Sequence, residues 1–215
     1  MTDHRSVAGV VLAAGLSSRF RDGDKLLATL EGDPLVTHAV RTLVRADLDA
    51  VAAVVAPDSD VAATLESTVP GVELVANPDA AAGQATSVHR AVAWTRGSHD
   101  AVVFALGDMP RVRPETVDRL VDTWRADAGS ALAPRYDGQR GNPVLFDREH
   151  FDALAAVSGD TGGRSVFENA PDSGFVDVDD PGVSIDVDTR ADLDDVRETE
   201  GLETEGGRDD EPRDN

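Results

Sequence analysis

Residues 7–19 read Val7-Ala8-Gly9-Val10-Val11-Leu12-Ala13-Ala14-Gly15-Leu16-Ser17-Ser18-Arg19. The apolar run at 7–13 predicts a buried strand, and the small residues that end it predict a loop whose backbone N–H groups can bind an anion. Lys25 follows this loop and is the single lysine among the 20 basic residues of the chain. Because an ammonium is a compact charge for phosphate, the stretch favours a phosphate-binding loop, with an ordinary strand-to-helix turn as the alternative.

Beyond this stretch the chain alternates apolar runs with helix-like segments, an order typical of a parallel sheet covered by helices on both faces. Strands are predicted at 7–13, 50–56, 73–76, 100–106, 131–134, 143–146 and 183–187. Helices are predicted at 34–45, 60–65, 86–94, 114–125, 147–155, 162–169 and 189–197. We therefore expect an α/β fold, a single three-layer α/β/α domain over residues 1–197 with a mostly parallel central sheet. A disordered acidic tail is expected at 198–215.

The composition limits the possible partners. The 215 residues include 41 acidic and 20 basic side chains, which gives a net charge of −21. Without a basic patch the chain is a poor partner for nucleic acid. An acidic composition with almost no lysine is typical of halophilic proteins, in which salt screens the repulsion, and a cationic partner is the alternative. The chain has no cysteine, so disulfides and thiolate metal sites are excluded. It shows no signal peptide and no apolar run long enough for a membrane, so we expect a cytoplasmic protein.

Acidic residues follow two of the predicted strands, where ligands bind in open α/β sheets. Asp108 comes directly after Gly107 at the end of the strand at 100–106, a position suited to a magnesium ligand. Asp186 and Asp188 alternate on the strand predicted at 183–187 and its end, so they are expected to share one face. The alternatives are a Gly-Asp turn for Asp108 and an acidic solvent-exposed face for the other two.

Two glycine-rich loops follow later in the chain. Residues 135–144 indicate a hairpin with a glycine-rich tip, and residues 159–164 precede a predicted helix. Either loop could bind an anionic substrate through backbone N–H groups and through Arg140 or Arg164, and either could be a plain connector. The five histidines are dispersed without a metal-binding spacing, so we interpret them as structural.

Taken together, five motifs in a fixed order resemble the MobA-like NTP transferase family, and most closely its molybdenum cofactor cytidylyltransferases. The motifs are Leu12-Ala13-Ala14-Gly15-x-Ser17-x-Arg19 with Lys25, Gly107-Asp108-Met109-Pro110, Gly141-Asn142-Pro143-Val144-Leu145-Phe146, Gly159-Asp160-x-Gly162 with Arg164, and Asp186-Val187-Asp188-Thr189 with Asp192-Leu193. The resemblance implies a Rossmann-like sheet of the nucleotide-diphospho-sugar transferase type. It also implies attack by a molybdopterin-type phosphate on an NTP, with Mg²⁺ as cofactor and pyrophosphate as the leaving group.

The resemblance also implies roles for individual residues. Those expected to bind the nucleotide are Leu12, Ala13, Ala14, Gly15, Ser17, Ser18, Arg19, Lys25, Asn77, Gly83 and Ser87. Those expected to bind the second substrate are Gly141, Asn142, Asp160 and Arg164. Arg19, Lys25 and Asp108 are the implied catalytic residues. Asp108 and Asp188 are the implied metal ligands, with Asp186 a weaker candidate.

The chain also departs from the family pattern. Arg21 stands where the family usually has glycine, Arg19 and Lys25 are slightly further apart than is common, and Asn142 replaces a frequent histidine. The Ala13-Ala14-Gly15 form resembles the CTP users, whereas a Gly-Gly form marks the GTP users, so we favour CTP. The alternatives are guanylyl transfer, transfer to another phosphorylated acceptor, and a maturation partner that binds the cofactor for a molybdoenzyme client. A redox protein is a further alternative, against which the absence of a dinucleotide-binding fingerprint argues.

Overall fold

A computed structural model of the chain describes residues 4–15, 23–160 and 162–205, with side chains as far as Glu198. The strands are β1 Val7–Leu12, β2 Thr29–Leu30, β3 Asp33–Pro34, β4 Ala50–Val55, β5 Glu73–Ala76, β6 Ala101–Leu106, β7 Ala131–Tyr136, β8 Gln139–Arg140, β9 Val144–Asp147 and β10 Ser173–Asp177. The helices are α1 Leu35–Arg45, α2 Asp60–Thr68, α3 Gln84–Thr95, α4 Pro114–Arg125, α5 Phe151–Ala155, α6 Arg164–Asn169 and α7 Arg190–Glu205. Short 3₁₀ helices lie at Lys25–Leu27, Ala80–Ala82, Arg148–His150 and Pro181–Ser184.

The main sheet has the order β10-β7-β9-β6-β1-β4-β5, with β8 paired to β7 beside this path. Strands β6, β1, β4 and β5 are parallel to one another, while β9 runs antiparallel to both β6 and β7. Strand β10 pairs in parallel with β7. The expected α/β fold with a mostly parallel sheet is therefore confirmed, and the antiparallel β9 joins its two halves.

Helices cover both faces of the sheet because the central strands are apolar on both sides. On one face Val11 and Val103 pack with Val40 of α1 and Leu120 of α4. On the other face Val10 and Phe104 pack with Val88 of α3, and residues of α5 and α6 complete that layer. A small third cluster joins the hairpin of β2 and β3 to α7. The resulting three layers hold the strand ends, and thus the site, in fixed positions.

One expected strand is absent from the structure, and one strand of the main sheet was not expected. The segment predicted as a strand at 183–187 forms the 3₁₀ helix Pro181–Ser184 and then an irregular run. Asp180 is the cause, because its side chain accepts hydrogen bonds from Gly182 N and Thr116 Oγ1 and thereby caps the turn. The edge strand β10 was not expected, because its sequence from Ser173 to Asp177 lacks a continuous apolar run.

Helix α7 runs from Arg190 to Glu205 and so extends beyond Arg197. The domain boundary at residue 197 and the disordered acidic tail at 198–215 stay predictions. Residues 206–215 lie outside the described part. No helix among the described residues is both long and apolar enough to cross a membrane.

Candidate active site

The site begins where β1 and β6 end side by side, because Leu12 and Leu106 are register partners in the parallel pair. Gly107 N donates to the carbonyl of Leu12 at 3.2 Å, which holds the loop after β6 against the loop after β1. The carboxylate of Asp108 is thereby fixed at the carboxyl edge of the sheet, as the sequence predicted.

Lys25 reaches the same point from the other loop. It starts the 3₁₀ helix Lys25–Leu27, which Asp24 caps by accepting from Leu26 N at 3.0 Å, and buried Leu26 anchors the turn. Lys25 Nζ donates to Asp108 Oδ2 at 2.6 Å and to Asp188 Oδ1 at 2.7 Å. Burial disfavours the charged lysine, but the two carboxylates outweigh this effect and raise the pKa of Lys25. The ammonium therefore sits charged between two carboxylates.

Asp188 is brought to Lys25 by two local contacts rather than by a strand. Val187 N donates to the carbonyl of Asp108 at 2.9 Å, and the Val187 side chain is fully buried. Asp192 Oδ2 then accepts from the backbone N–H groups of Asp188 and Thr189, while Thr189 Oγ1 accepts from Asp192 N. This reciprocal arrangement is a capping box that starts α7. It holds the backbone of Asp188 at the site.

Asp186 is less directly placed. It does not line the cavity that holds Lys25, Asp108 and Asp188. Burial, followed by the negative charges of Asp108 and Asp188, raises the pKa of Asp186 above its ordinary range. The segment that contains Asp186 and Asp188 is irregular rather than a strand, and the shared face of the two side chains stays a prediction.

These groups line a first cavity of about 450 Å³. Its lining is Leu12, Ala14, Gly15, Lys25, Leu26, Ala80, Ala81, Gly83, Gln84, Ser87, Leu106, Gly107, Asp108, Asp160 and Asp188. The described lining contains three carboxylates and one ammonium, so it is negative. A triphosphate, itself an anion, would require added positive charge to enter this cavity.

Asn77 differs from its expected role. It is fully buried and does not line the first cavity. Its Nδ2 donates to Thr86 Oγ1 at 2.9 Å and to Ser87 Oγ at 3.0 Å, and its Oδ1 accepts from Asp79 N. Ser87 and Gly83 do line the cavity. Asn77 therefore holds Ser87 in position without lining the first cavity itself.

A second cavity of about 630 Å³ adjoins the first. Its lining is Leu12, Gln84, Phe104, Leu106, Gln139, Arg140, Gly141, Asn142, Val144, Phe146, Asp160, Gly163 and Arg164. All four residues predicted to bind the second substrate, Gly141, Asn142, Asp160 and Arg164, are among them. Four residues line both cavities, namely Leu12, Gln84, Leu106 and Asp160. The two cavities therefore meet along a common boundary.

Two of the three glycines predicted at the site, Gly83 and Gly141, are required by close approaches, whereas a Cβ on Gly15 would meet no atom within 4 Å. A Cβ on Gly141 would lie 2.4 Å from the carbonyl oxygen of Val183, and that oxygen accepts from Asn142 N at 2.9 Å. Gly83 has a φ of +110°, and a Cβ there would lie 2.7 Å from Asp160 Oδ1. Only glycine allows these approaches without a shift of the backbone.

Asp160 links the two cavities through the start of α3. Its Oδ1 accepts from Gln84 N at 3.4 Å, and the carbonyl of Gly159 accepts from Ala85 N at 3.0 Å. The loop that contains Asp160 thus caps the helix that lines the first cavity. Asp160 was expected only as a substrate residue, and this capping contact could not be read from the sequence.

The remaining predicted residues are placed as follows. Ala13 is buried and donates its N–H to the carbonyl of Val54, so it supports the loop without lining either cavity. Ser17, Ser18 and Arg19 lie outside the described residues. Sequence reasoning missed Gln84, which lines both cavities directly after Gly83 at the start of α3.

The donor set can be tested against a divalent cation. Within the described ranges 4–15, 23–160 and 162–205, no group of three His, Asp or Glu side chains could by itself hold a metal ion. Asp108 Oδ1 is nevertheless buried and has no hydrogen-bond partner among these residues. A buried carboxylate oxygen without a partner requires an explanation, and a cation supplies one. Two carboxylates fit a hard cation that takes its other ligands from phosphate and water, as Mg²⁺ does.

Comparison with known proteins agrees with this geometry. Residues 9–174 match the family model of the MobA-like NTP transferase domain. The nicotine blue oxidoreductase of Paenarthrobacter nicotinovorans is 31% identical over 87% of this chain and 95% of its own length. A probable molybdenum cofactor guanylyltransferase of Thermococcus gammatolerans is 33% identical over 63% of this chain and 66% of its own length.

Among solved structures, Rv0371c of Mycobacterium tuberculosis in complex with manganese is similar, with a TM-score of 0.73 and 27% identity. The similarity covers 90% of this chain and 99% of that one. The family match over residues 9–174, together with a site at the carboxyl edge of a mostly parallel sheet, shows that this chain belongs to the MobA-like NTP transferase family.

Proposed function

We propose that the protein is a magnesium-dependent nucleotidyltransferase that moves CMP from CTP onto the phosphate of a molybdopterin-type acceptor. The observation that carries the proposal is the convergence of Lys25, Asp108 and Asp188 in a cavity that opens into a second one. The guanylyltransferase relative supports the acceptor class. The Ala13-Ala14-Gly15 form of the first loop supports CTP.

In this reaction an oxygen of the acceptor phosphate attacks the α-phosphorus of the NTP, the bond to the bridging oxygen breaks, and pyrophosphate leaves with the electron pair. The first cavity takes the nucleotide and the second takes the acceptor, so the reacting atoms meet at the boundary near Leu12, Leu106 and Asp160. Holding both substrates there supplies positioning, which is the main requirement of nucleotidyl transfer. The Lys25 ammonium contributes positive charge for the leaving pyrophosphate.

Asp108 and Asp188 would hold the magnesium ion, which when bound would offset the negative lining and the charge of the triphosphate. A structure of the relative Rv0371c contains manganese, which supports a divalent cation in this family. Ser87, which Asn77 positions, and the exposed Gly15 provide polar groups for the nucleotide. The loop at 159–160 and the start of α3 are hydrogen-bonded, so the walls of the two cavities are held together.

The test is pyrophosphate release in high salt with Mg²⁺, offering CTP, GTP, ATP and UTP separately together with isolated molybdopterin. Turnover with CTP alone would support the proposal in full. Turnover with GTP alone would retain the reaction and correct the base. A folded protein that binds the cofactor but turns over none of the four would instead act as a maturation partner for a molybdoenzyme client.

An Asp108→Ala variant tests the metal site within the same assay. We expect loss of Mg²⁺-dependent pyrophosphate release, because one of two carboxylate ligands is removed. Asp122→Ala is the matched control, since Asp122 is an exposed aspartate on α4. Equal turnover in the Asp108→Ala variant and the control would contradict the assignment of Asp108.

A second candidate is a redox activity, which the oxidoreductase relative favours because it matches 87% of this chain. Incubation with NADH or NADPH and an oxidised heteroaromatic dye tests it through loss of the nicotinamide absorbance. Dye-dependent oxidation that survives the Asp108→Ala change, without pyrophosphate release from any NTP, would favour the redox candidate over nucleotidyl transfer.

A further inference from the structure

Arg140 lies at the end of β8, which pairs antiparallel with β7 next to the second cavity. The turn before it is tight, since Asp137 and Gly138 both have positive φ, so the β7–β8 hairpin fixes the direction of β8. The side chain is partly buried, and its guanidinium carbon lies 4.3 Å from the centroid of the Phe167 ring. Stacking on an aromatic face fixes the plane of a guanidinium while leaving its N–H edge available.

That N–H edge has no partner among the described residues. Arg140 forms no hydrogen bond or ion pair with any residue in the part of the chain that the structure describes. The other partly buried arginines in the same ranges, Arg5, Arg41, Arg111, Arg125 and Arg135, each form an ion pair with a carboxylate. In a chain with 41 acidic and 20 basic residues, a partly buried arginine without a carboxylate is an exception. Burying such donors unpaired is unfavourable, so the position favours a ligand.

The charged residues near Arg140 also favour a ligand at this position. Glu168, the acidic group that acts on it, instead accepts from Arg164 Nε at 2.7 Å. Burial first, and then the positive charge of Arg164, lower the pKa of Arg140. Two guanidinium groups and the carboxylate of Asp160 thus line the second cavity, while Glu168 acts on both arginines and is hydrogen-bonded to Arg164. An oxyanion would supply the acceptors that the N–H groups of Arg140 lack among the described residues.

We propose that Arg140, stacked on Phe167, binds the phosphate of the acceptor in the second cavity and sets the requirement for an anionic acceptor. This inference rests on the proposed function for the identity of the acceptor, but not for the binding of phosphate. The guanidinium fork matches two phosphate oxygens. With two oxygens held, a third is left for attack across the boundary towards the first cavity.

The inference is tested with Arg140→Gln, Arg140→Lys and, as a matched control, Arg119→Gln, which removes an exposed arginine on α4. In steady-state assays we expect Arg140→Gln to raise the KM of the acceptor about tenfold to a hundredfold, because charge-assisted hydrogen bonds are lost. The KM of CTP should stay as in the control. Arg140→Lys should be intermediate, since it keeps the charge but loses the fork. A rise in the KM of CTP alone, or no change in either KM, would overturn the inference.

A second measurement stands apart from turnover. Inorganic phosphate is titrated into the nucleotide-free protein at constant ionic strength, and binding is followed through the arginine Nε–H signals in NMR. We expect the Arg140 signal to shift, and the binding to be lost in Arg140→Gln but kept in Arg119→Gln. Equal phosphate binding in both variants would refute the inference even if nucleotidyl transfer is found. Loss confined to Arg140→Gln would support it even if no NTP is turned over.

Discussion

Lys25 contacts the same two carboxylates that we assign to the metal. In the absence of other ligands its ammonium neutralises Asp108 and Asp188, at 2.6 and 2.7 Å. A divalent cation and the lysine therefore compete for the same two carboxylates, although Asp108 Oδ1 is not used by the lysine. A bound triphosphate would end this competition, because its oxygens can accept the hydrogen bonds of the ammonium in place of the two carboxylates. Lys25 should therefore favour binding of the nucleotide and oppose binding of a metal ion in the nucleotide-free protein, and the two effects can be measured separately.

Lys25→Ala should weaken CTP binding by about 1–3 kcal/mol, because a charged donor to phosphate is lost. In the nucleotide-free protein the same change should strengthen Mn²⁺ binding, because two carboxylates lose their cation. Titration calorimetry with each ligand measures both effects. Lys25→Arg serves as the control that keeps the charge. If CTP affinity is unchanged in Lys25→Ala, the lysine has no role in phosphate binding.

At the scale of elements, the site depends on how closely the loop after β8 approaches the 3₁₀ helix Pro181–Ser184, which follows β10. Gly141→Ala places a Cβ 2.4 Å from the carbonyl oxygen of Val183. The backbone must shift, and the hydrogen bond from Asn142 N to Val183 is weakened. We expect a loss of about 1–3 kcal/mol in the free energy of unfolding and a higher KM for the acceptor. Urea unfolding and steady-state kinetics measure the two effects.

Gly97→Ala is the matched control for that change. Gly97 is exposed, and a Cβ built there meets no atom within 4 Å. The same substitution should therefore leave both the unfolding free energy and the KM close to those of the parent chain. If Gly141→Ala behaves like Gly97→Ala, the close approach at Val183 does not hold the acceptor loop in place.

Strand β1 is held at its start by Asp49, which accepts from Val7 N at 2.8 Å and contacts His4 at 2.6 Å. Burial would raise the pKa of Asp49, but His4, the Val7 N–H and Arg125 together lower it. A lowered folded pKa means that the carboxylate stabilises the fold above its ordinary pKa of about 3.8, and that this is lost as the pH falls through the folded value.

Asp49→Ala should therefore reduce the free energy of unfolding by about 1–2 kcal/mol at about pH 7. Asp49→Asn keeps an acceptor for Val7 N and should lose less. The difference between the parent chain and Asp49→Asn should shrink as the pH is lowered through the folded pKa. Urea unfolding over a series of pH values measures it. A difference that grows towards acid would contradict the sign of the pKa shift.

How much the sequence predicts differs between elements. The apolar runs of β1, β4 and β6 favour buried parallel strands, because they are short and a strand covered by helices on both faces is apolar at every position. Strand β10 is an exposed edge, with Phe175 half exposed, so its pattern carries little signal. The segment at 183–187 is apolar enough for a strand, yet Asp180, which accepts from Thr116 and Gly182, caps a 3₁₀ helix that ends at Ser184 and is followed by an irregular run.

The same contrast holds for the site. Lys25 and Asp108 could be brought together from the sequence, because loops after the neighbouring parallel strands β1 and β6 share one edge of the sheet. Asp188 was expected there after a strand that the structure does not contain. The buried position of Asn77 and the link from Asp160 to α3 depend on side-chain contacts between segments far apart in sequence. The sequence offers both Arg140 and Arg164 for an anion, and what distinguishes Arg140 is that it has no carboxylate partner in the described part of the chain. Neither contacts between segments far apart in sequence nor the lack of a partner produces a local pattern in the sequence.

At the scale of the whole molecule, the net charge of −21 is unfavourable to a compact state. Many arginines neutralise part of this charge in surface ion pairs, for example Arg96 with Asp152. Each exposed pair contributes little to the stability of the fold. The remaining repulsion acts over about 10 Å at 0.1 M salt and about 3 Å at 1 M. The folded state should gain more from screening than the expanded unfolded chain, because its charges are closer together.

We therefore expect the free energy of unfolding to increase with KCl from about 0.05 to about 1 M, with most of the gain at the lower concentrations, where the screening length changes most. Urea unfolding at each salt concentration measures it, since urea adds no charge. Sucrose is the control, because it strengthens burial without screening. NaCl should match KCl if screening is the cause, whereas a large difference between them would indicate specific cation binding. A free energy that is unchanged over this range would mean that the acidic surface is already balanced by its arginines.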